Sequence, residues 1–186
     1  MSNKELSEKI LDTIEAKLNR TLRISRAQVE SGKAFVNEDD WNWFSQYTVG
    51  HGVNICSGIF PIHDSIGVDI EFTLSSFDGF PLCRGDELPI DNSCLDYVIT
   101  NYMEAFSNPS AALREWYRIL KPGGKLAIIA RDADERRYAV PKGVLSNNHR
   151  ASCFNVNTLK MYIERASFKD VVVNRYNETL RAIGIK

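Results

Sequence analysis

Residues 85–130 read GDELPIDNSCLDYVITNYMEAFSNPSAALREWYRILKPGGKLAIIA, and this stretch decides the fold. Leu95–Asn101 (LDYVITN) is dense in β-branched and aromatic side chains, which pack well on a pleated surface, and predicts a strand. Asn108-Pro109 predicts a helix start, with an acceptor side chain for a cap and a ring already set to helical φ. Leu113, Trp116, Tyr117 and Leu120 recur at helical spacing and form one apolar face. Lys121-Pro122-Gly123-Gly124 ends the helix, because proline cannot continue it and glycine permits the reversal. Lys125–Ala130 (KLAIIA) is a short apolar run of the kind buried in a parallel sheet. Strand, helix and strand in this order predict a βαβ unit with a right-handed crossover.

On either side of this unit, strands and helices alternate. Val53–Ser57, Ile66–Ile70 and Leu82–Arg84 are candidate strands upstream. Downstream, Asn155–Ala166 is a helix with Leu159, Tyr162 and Ile163 facing inward. Val171–Tyr176 and Leu180–Ile185 make a final strand pair joined at Asn177-Glu178. That gives seven strands. In residues 4–31, Leu6, Ile10, Leu11, Ile14, Leu18 and Leu22 share one face of one or two helices. A short helix is expected after Asn37, where Glu38, Asp39 and Asp40 suit its positive end and Trp41 and Phe44 pack inward. Residues 1–48 therefore read as a helical cap on a main unit at 49–186, the whole forming one structural domain.

Composition narrows the function. A chain of 186 residues with 44% hydrophobic and 25% charged residues has the balance of a globular domain with a proper core. A net charge of −1 gives no electrostatic reason to expect nucleic acid or an anionic membrane as partner. No run approaches the roughly 20 apolar residues that span a bilayer. The polar N-terminus shows no signal-peptide pattern, so a cytoplasmic setting is expected. Cys56, Cys83, Cys94 and Cys153 lack CxxC spacing and read as free buried thiols in a reducing compartment. His51, His63 and His149 lack metal-site spacing, so no metal is expected.

The stretch quoted above closely resembles the third-to-fifth-strand region of class I S-adenosylmethionine-dependent methyltransferases. The residues that carry the likeness are Asp86, Leu88-Pro89-Ile90, Asp91-Asn92-Ser93 and Asp96, then Glu115, Arg118, Leu120-Lys121-Pro122-Gly123-Gly124 and Leu126. The resemblance implies a three-layer α/β sandwich around a seven-stranded, mostly parallel, Rossmann-like sheet whose last strand is antiparallel. It implies S-adenosyl-L-methionine as cofactor and methyl transfer to a small or medium-sized acceptor by in-line displacement. It also assigns roles. After the first strand, Asn54 stands where the family has an acidic residue, Cys56 at the first turn glycine and Gly58 at the second. Asp69 takes the place of the acidic residue that accepts from the ribose hydroxyls, and a carboxylate suits a diol because it only accepts. Asp86 would accept from the adenine amino group, with the backbone of Glu87 or Leu88 at the ring edge. Asn101 and Tyr102 follow the fourth strand beside the sulfonium, where Tyr102 can offer an aromatic face. Met103-Glu104-Ala105 replaces the family's leucine-glutamate-histidine run, so its histidine is missing.

A catalytic base is not legible. Tyr102 is one candidate and His149 another, the latter because it lies in the segment between the fifth strand and the next helix. Asp96, Glu115, Arg118 and Trp116 read as structural, with Glu115 and Arg118 spaced for an ion pair. The acceptor pocket is expected from the N-terminal helices, the loop after Tyr102 and residues 132–153. The departures at Asn54 and Cys56 motivate a second reading, a non-catalytic accessory protein that keeps the fold without cofactor affinity. The acceptor and the oligomeric state are not encoded in any motif.

Overall fold

A computed structural model describes residues 38–57, 65–68, 85–135 and 151–186. The described elements are α1 (Glu38–Ser45), β1 (Gly52–Ile55), β2 (Ile66–Val68), β3 (Leu95–Thr100), a 3-10 turn (Met103–Ala105), α2 (Pro109–Ile119), β4 (Leu120–Arg131), α3 (Val156–Arg165), β5 (Lys169–Tyr176) and β6 (Thr179–Ile185). Six strands form one sheet in the order β2-β1-β3-β4-β6-β5. Every pairing among β2, β1, β3 and β4 is parallel, and β6 runs antiparallel to both of its neighbours. The reversed last strand is as expected. The seventh expected strand, Leu82–Arg84, lies outside the described residues, as does the helical segment at 4–31.

Alternation along the central strands sorts the core into two layers. Val98 of β3 and Leu126, Ile128 and Ala130 of β4 meet α2 and α3, represented by Leu113, Trp116, Leu159 and Ile163. Tyr97, Ile99, Ala127 and Ile129 point to the other face, where Phe44 of α1 packs with Trp41 and Trp43 beside it. Fully burying side chains of this size stabilises by about 1.5–3 kcal/mol each. Helices therefore cover both faces, the solution expected when a parallel sheet must hide both sides.

The local signals act where they stand. The Asn108 side chain accepts from the Ala111 amide at 3.1 Å, capping α2. Asn155 and Thr158 form a reciprocal capping box at the start of α3. Asn177, with φ of 52°, turns β5 into β6. Several boundaries move, two of them for a local reason. The first strand stops at Ile55 rather than Ser57, because Cys56 has φ of 55° and takes the chain out of the pleat. β4 begins at Leu120 rather than Lys125. The register passes from Leu95↔Leu120 to Tyr97↔Lys125, so Lys121–Gly124 bulge opposite Asp96 alone. Gly123 makes that bulge with φ of 79°. A Cβ at Gly123 would meet nothing within 4 Å, so the backbone angle alone calls for glycine.

Candidate cofactor and active site

Register brings the strand tips level. Ile55 of β1 pairs with Val68 of β2 and with Thr100 of β3, and Thr100 pairs with Ile128 of β4. The chain runs from β1 outward to β2, then returns to the other side of β1 as β3. The order reverses at β1, and a crevice opens beyond the carboxyl ends at such a switch point.

The β1 tip holds Asn54 and Cys56. Asn54 is 1% exposed. Its Nδ2 donates to the Ile55 carbonyl at 3.3 Å and the Ile99 carbonyl at 3.5 Å, tying β1 to β3. A carboxylate could not donate these bonds, which gives the amide a local reason to stand where the family has an acid. Cys56 adopts the left-handed backbone that glycine favours, at the position where the family has its first glycine. The turn geometry is kept although the residue is not glycine. Gly58, Asp69 and His149 lie outside the described residues.

The Asp86 loop reaches the same tip. Gly85 is buried against β1, such that a Cβ on it would come 2.5 Å from Ile55 Cγ2 and 2.9 Å from Phe106 Cζ. Asp86 is half-buried and Glu87 exposed. The Leu88 amide donates to Glu115 Oε1 at 2.8 Å and the Leu88 side chain is in the core, so that N–H is engaged within the protein. Trp116 Nε1 donates to the Gly85 carbonyl at 2.6 Å.

On the other side of β1, Asn101 and Tyr102 are half-buried beyond the β3 tip. The Tyr102 amide donates to Thr100 Oγ1 at 3.3 Å. Met103 and Glu104 follow, 0% and 2% exposed. The Glu104 carbonyl accepts from the amides of Ala151 at 2.8 Å and Ser152 at 3.1 Å, which anchors the later segment to this loop. Glu104 was not among the expected site residues. Its place in the leucine-glutamate-histidine position was the signal that could have found it.

Asp96 lies at the amino end of β3, the end of the sheet opposite the strand tips. It accepts from Lys121 Nζ at 2.6 Å and from the His51 amide at 2.9 Å, and these bonds hold its carboxyl below the usual range. The expected pair on α2 is present and bidentate: Arg118 Nη2 meets Glu115 Oε1 at 2.6 Å and Arg118 Nε meets Oε2 at 2.8 Å. The Arg118 guanidinium, with the Leu88 amide adding to it, holds the Glu115 carboxyl below the usual range. Cys56, Cys94 and Cys153 are half-buried rather than buried.

A cavity of about 390 Å³ opens at the carboxyl end of β4, between the first turn of α1, Arg131 and the β5–β6 turn at Tyr176. It lies on the β4–β6 side of the sheet and not at the β1 tip. Among the described residues no helix is long and apolar enough to cross a membrane.

The described tip residues fit a sulfonium nucleoside. The stretches 54–57 (NICS), 85–88 (GDEL) and 100–104 (TNYME) contain three carboxylates and no lysine or arginine. Such a set offers acceptors to an amino group and a diol, and presents no like charge to a cationic sulfur.

A parallel sheet with one reversed strand, a switch point at β1 and an anionic tip define the class I methyltransferase fold. Comparison with known proteins agrees. Residues 56–128 match the family model described as "Methyltransferase domain". An S-adenosylmethionine-dependent methyltransferase from Thermotoga maritima superposes with a TM-score of 0.58 at 21% identity, covering 82% of this chain and 96% of that one. One from Archaeoglobus fulgidus gives 0.55 at 16% identity, covering 95% and 99%. Phosphoethanolamine N-methyltransferase 2 of Haemonchus contortus, in complex with S-adenosyl-L-methionine, gives 0.58 at 17% identity, covering 78% of this chain and 41% of that one. No curated protein matches the sequence. Residues 56–128 carry a methyltransferase domain, and the chain has the fold of class I S-adenosylmethionine-dependent methyltransferases.

Proposed function

We propose that this methyltransferase acts on a small or medium-sized acceptor, and that its cofactor lies across the tips of β2, β1 and β3. The observation that carries the reading is the seat of Gly85 on Ile55, which brings the Asp86 loop beside the Cys56 turn. When bound, S-adenosylmethionine supplies a methyl group already activated by the sulfonium. The chain's residues bind and orient. Asp69 would accept from the ribose hydroxyls and Asp86 from the adenine amino group. With the Leu88 amide engaged, the ring edge falls to the backbone of Glu87. The turn at Asn54, Cys56 and Gly58 would meet the methionyl end, and Asn101 and Tyr102 would border the sulfur.

The protein's remaining task is alignment. Fixing an acceptor oxygen or nitrogen in a pocket turns a bimolecular encounter into an effectively unimolecular one. An acceptor pocket formed by residues 1–48, the loop after Tyr102 and residues 132–153 suits this task. The anchoring of Ala151 and Ser152 to Glu104 supports it, as does the cavity at α1. The free thiol of Cys94 favours a cytoplasmic setting. The seven-strand arrangement completes the sheet if Leu82–Arg84 adds its strand. The glycine-like backbone at Cys56 favours a working cofactor turn over the accessory-protein reading.

Calorimetry with S-adenosylmethionine tests the proposal. Native protein should bind, and Asp69→Ala should weaken binding by about 1.5–3 kcal/mol, the range for hydrogen bonds to a charged group. No heat at millimolar cofactor sinks the reading.

A further inference from the structure

The loop from Gly85 to Asn92 has neither helix nor strand to hold it, yet it is held at four residues by one turn of α2. Trp116 donates to the Gly85 carbonyl. Glu115 accepts from the Leu88 amide. Arg118 Nη2 donates to the Leu88 carbonyl at 3.2 Å, while its Nη1 donates to the Ile90 carbonyl at 2.8 Å and to Asn92 Oδ1 at 2.6 Å. The fixed points Gly85 and Leu88 bracket two residues, Asp86 and Glu87.

We propose that Glu115 and Arg118 are positioning residues for the nucleoside end of the cofactor, holding the Asp86–Glu87 arc in its binding shape before the cofactor arrives. The inference rests on the reading of that arc as the nucleoside-facing segment. Its physical basis is preorganisation: a loop ordered in advance loses no freedom on binding, so affinity gains what ordering would have cost. The arginine fork is essential, because one planar group bonds a carboxylate, two carbonyls and an amide oxygen at once. A lysine keeps the charge and cannot make that set. The carboxylate pairs with the fork and also fixes the Leu88 amide, so neither residue acts alone. The Arg118 guanidinium lowers the Glu115 carboxyl against the opposing charge of Asp86. Arg118 is 36% exposed on its side chain, so its replacement leaves the core intact.

The test is calorimetric titration of S-adenosylhomocysteine into native protein, Arg118→Lys, Glu115→Gln, Asp86→Ala and the Arg118→Lys/Asp86→Ala double variant. Circular dichroism and thermal midpoints verify the fold. Arg118→Lys should bind at least tenfold more weakly with its fold retained. Glu115→Gln keeps the shape of the side chain and should also weaken binding. If Arg118 acts through the arc, the double variant should bind no more than about threefold more weakly than Asp86→Ala, a coupling that a residue supporting only the fold would not show. Native affinity in both Arg118→Lys and Glu115→Gln overturns the proposal. So do fully multiplicative losses in the double variant. Native affinity in Asp86→Ala refutes the adenine role of that carboxylate, and the two clamp variants alone then decide the positioning claim.

Discussion

Gly85 and Ile55 touch so closely that a single added methyl group on Gly85 would lie 2.5 Å from Ile55 Cγ2. The same methyl would lie 2.9 Å from Phe106 Cζ, so two side chains would have to yield. Gly85→Ala is therefore expected to destabilise the protein by about 1–3 kcal/mol, the usual cost of overpacking. Urea unfolding measures this directly. A stability equal to native would show that the loop does not rest on β1.

Cys56 presents the opposite case. Its φ of 55° is a conformation in which a Cβ is strained. Cys56→Gly removes that strain but frees the unfolded chain, so a net gain of about 0.5–1 kcal/mol is expected. Cys56→Val should lose stability, since a β-branched side chain resists this backbone. The two variants moving in the same direction under urea would refute the strain argument.

Trp116 is fully buried and its indole N–H serves the Gly85 carbonyl. Trp116→Phe keeps most of the apolar bulk and leaves that carbonyl unserved. A loss of about 1–3 kcal/mol follows from an unsatisfied buried acceptor, with the smaller ring adding to it. Thermal unfolding of the variant provides the measurement, and an unchanged midpoint would contradict it.

Acid should weaken the fold through two carboxylates. Glu115 and Asp96 are both held below their ordinary range, by Arg118 and by Lys121 respectively. A group with a depressed folded pKa stabilises above its unfolded pKa and loses that contribution as pH falls through the folded one. Stability should therefore drop as the solution passes below the ordinary carboxylate range. Glu115→Gln and Asp96→Asn should each flatten that decline in urea titrations run from about pH 6 to pH 2.5. A decline as steep as native in both variants would assign the acid sensitivity to other groups.

Much of this was legible because it is local. The Asn108 cap, the apolar stripe of α2 and the β5–β6 turn at Asn177 each depend on residues a few positions apart. The Glu115–Arg118 pair was legible for the same reason, as three-residue spacing on a helix brings side chains together. Its hold on Leu88, Ile90 and Asn92 was not, because an irregular loop carries no periodicity to show which way its backbone groups point. The bulge at Lys121–Gly124 was read as a turn alone, since strand pairing on both sides of it is a long-range property.

By itself the sequence determined the class of fold and the family it resembles, because alternating strand and helix patterns and a run of motif residues are written in neighbouring positions. Only the tertiary structure decided that the tips of β1, β2 and β3 end level, that Cys56 takes a glycine's conformation, and that α2 holds the Asp86 loop. Those outcomes depend on register and on contacts between segments distant in the chain, and a contact of that kind exists only once the sheet has closed around its core.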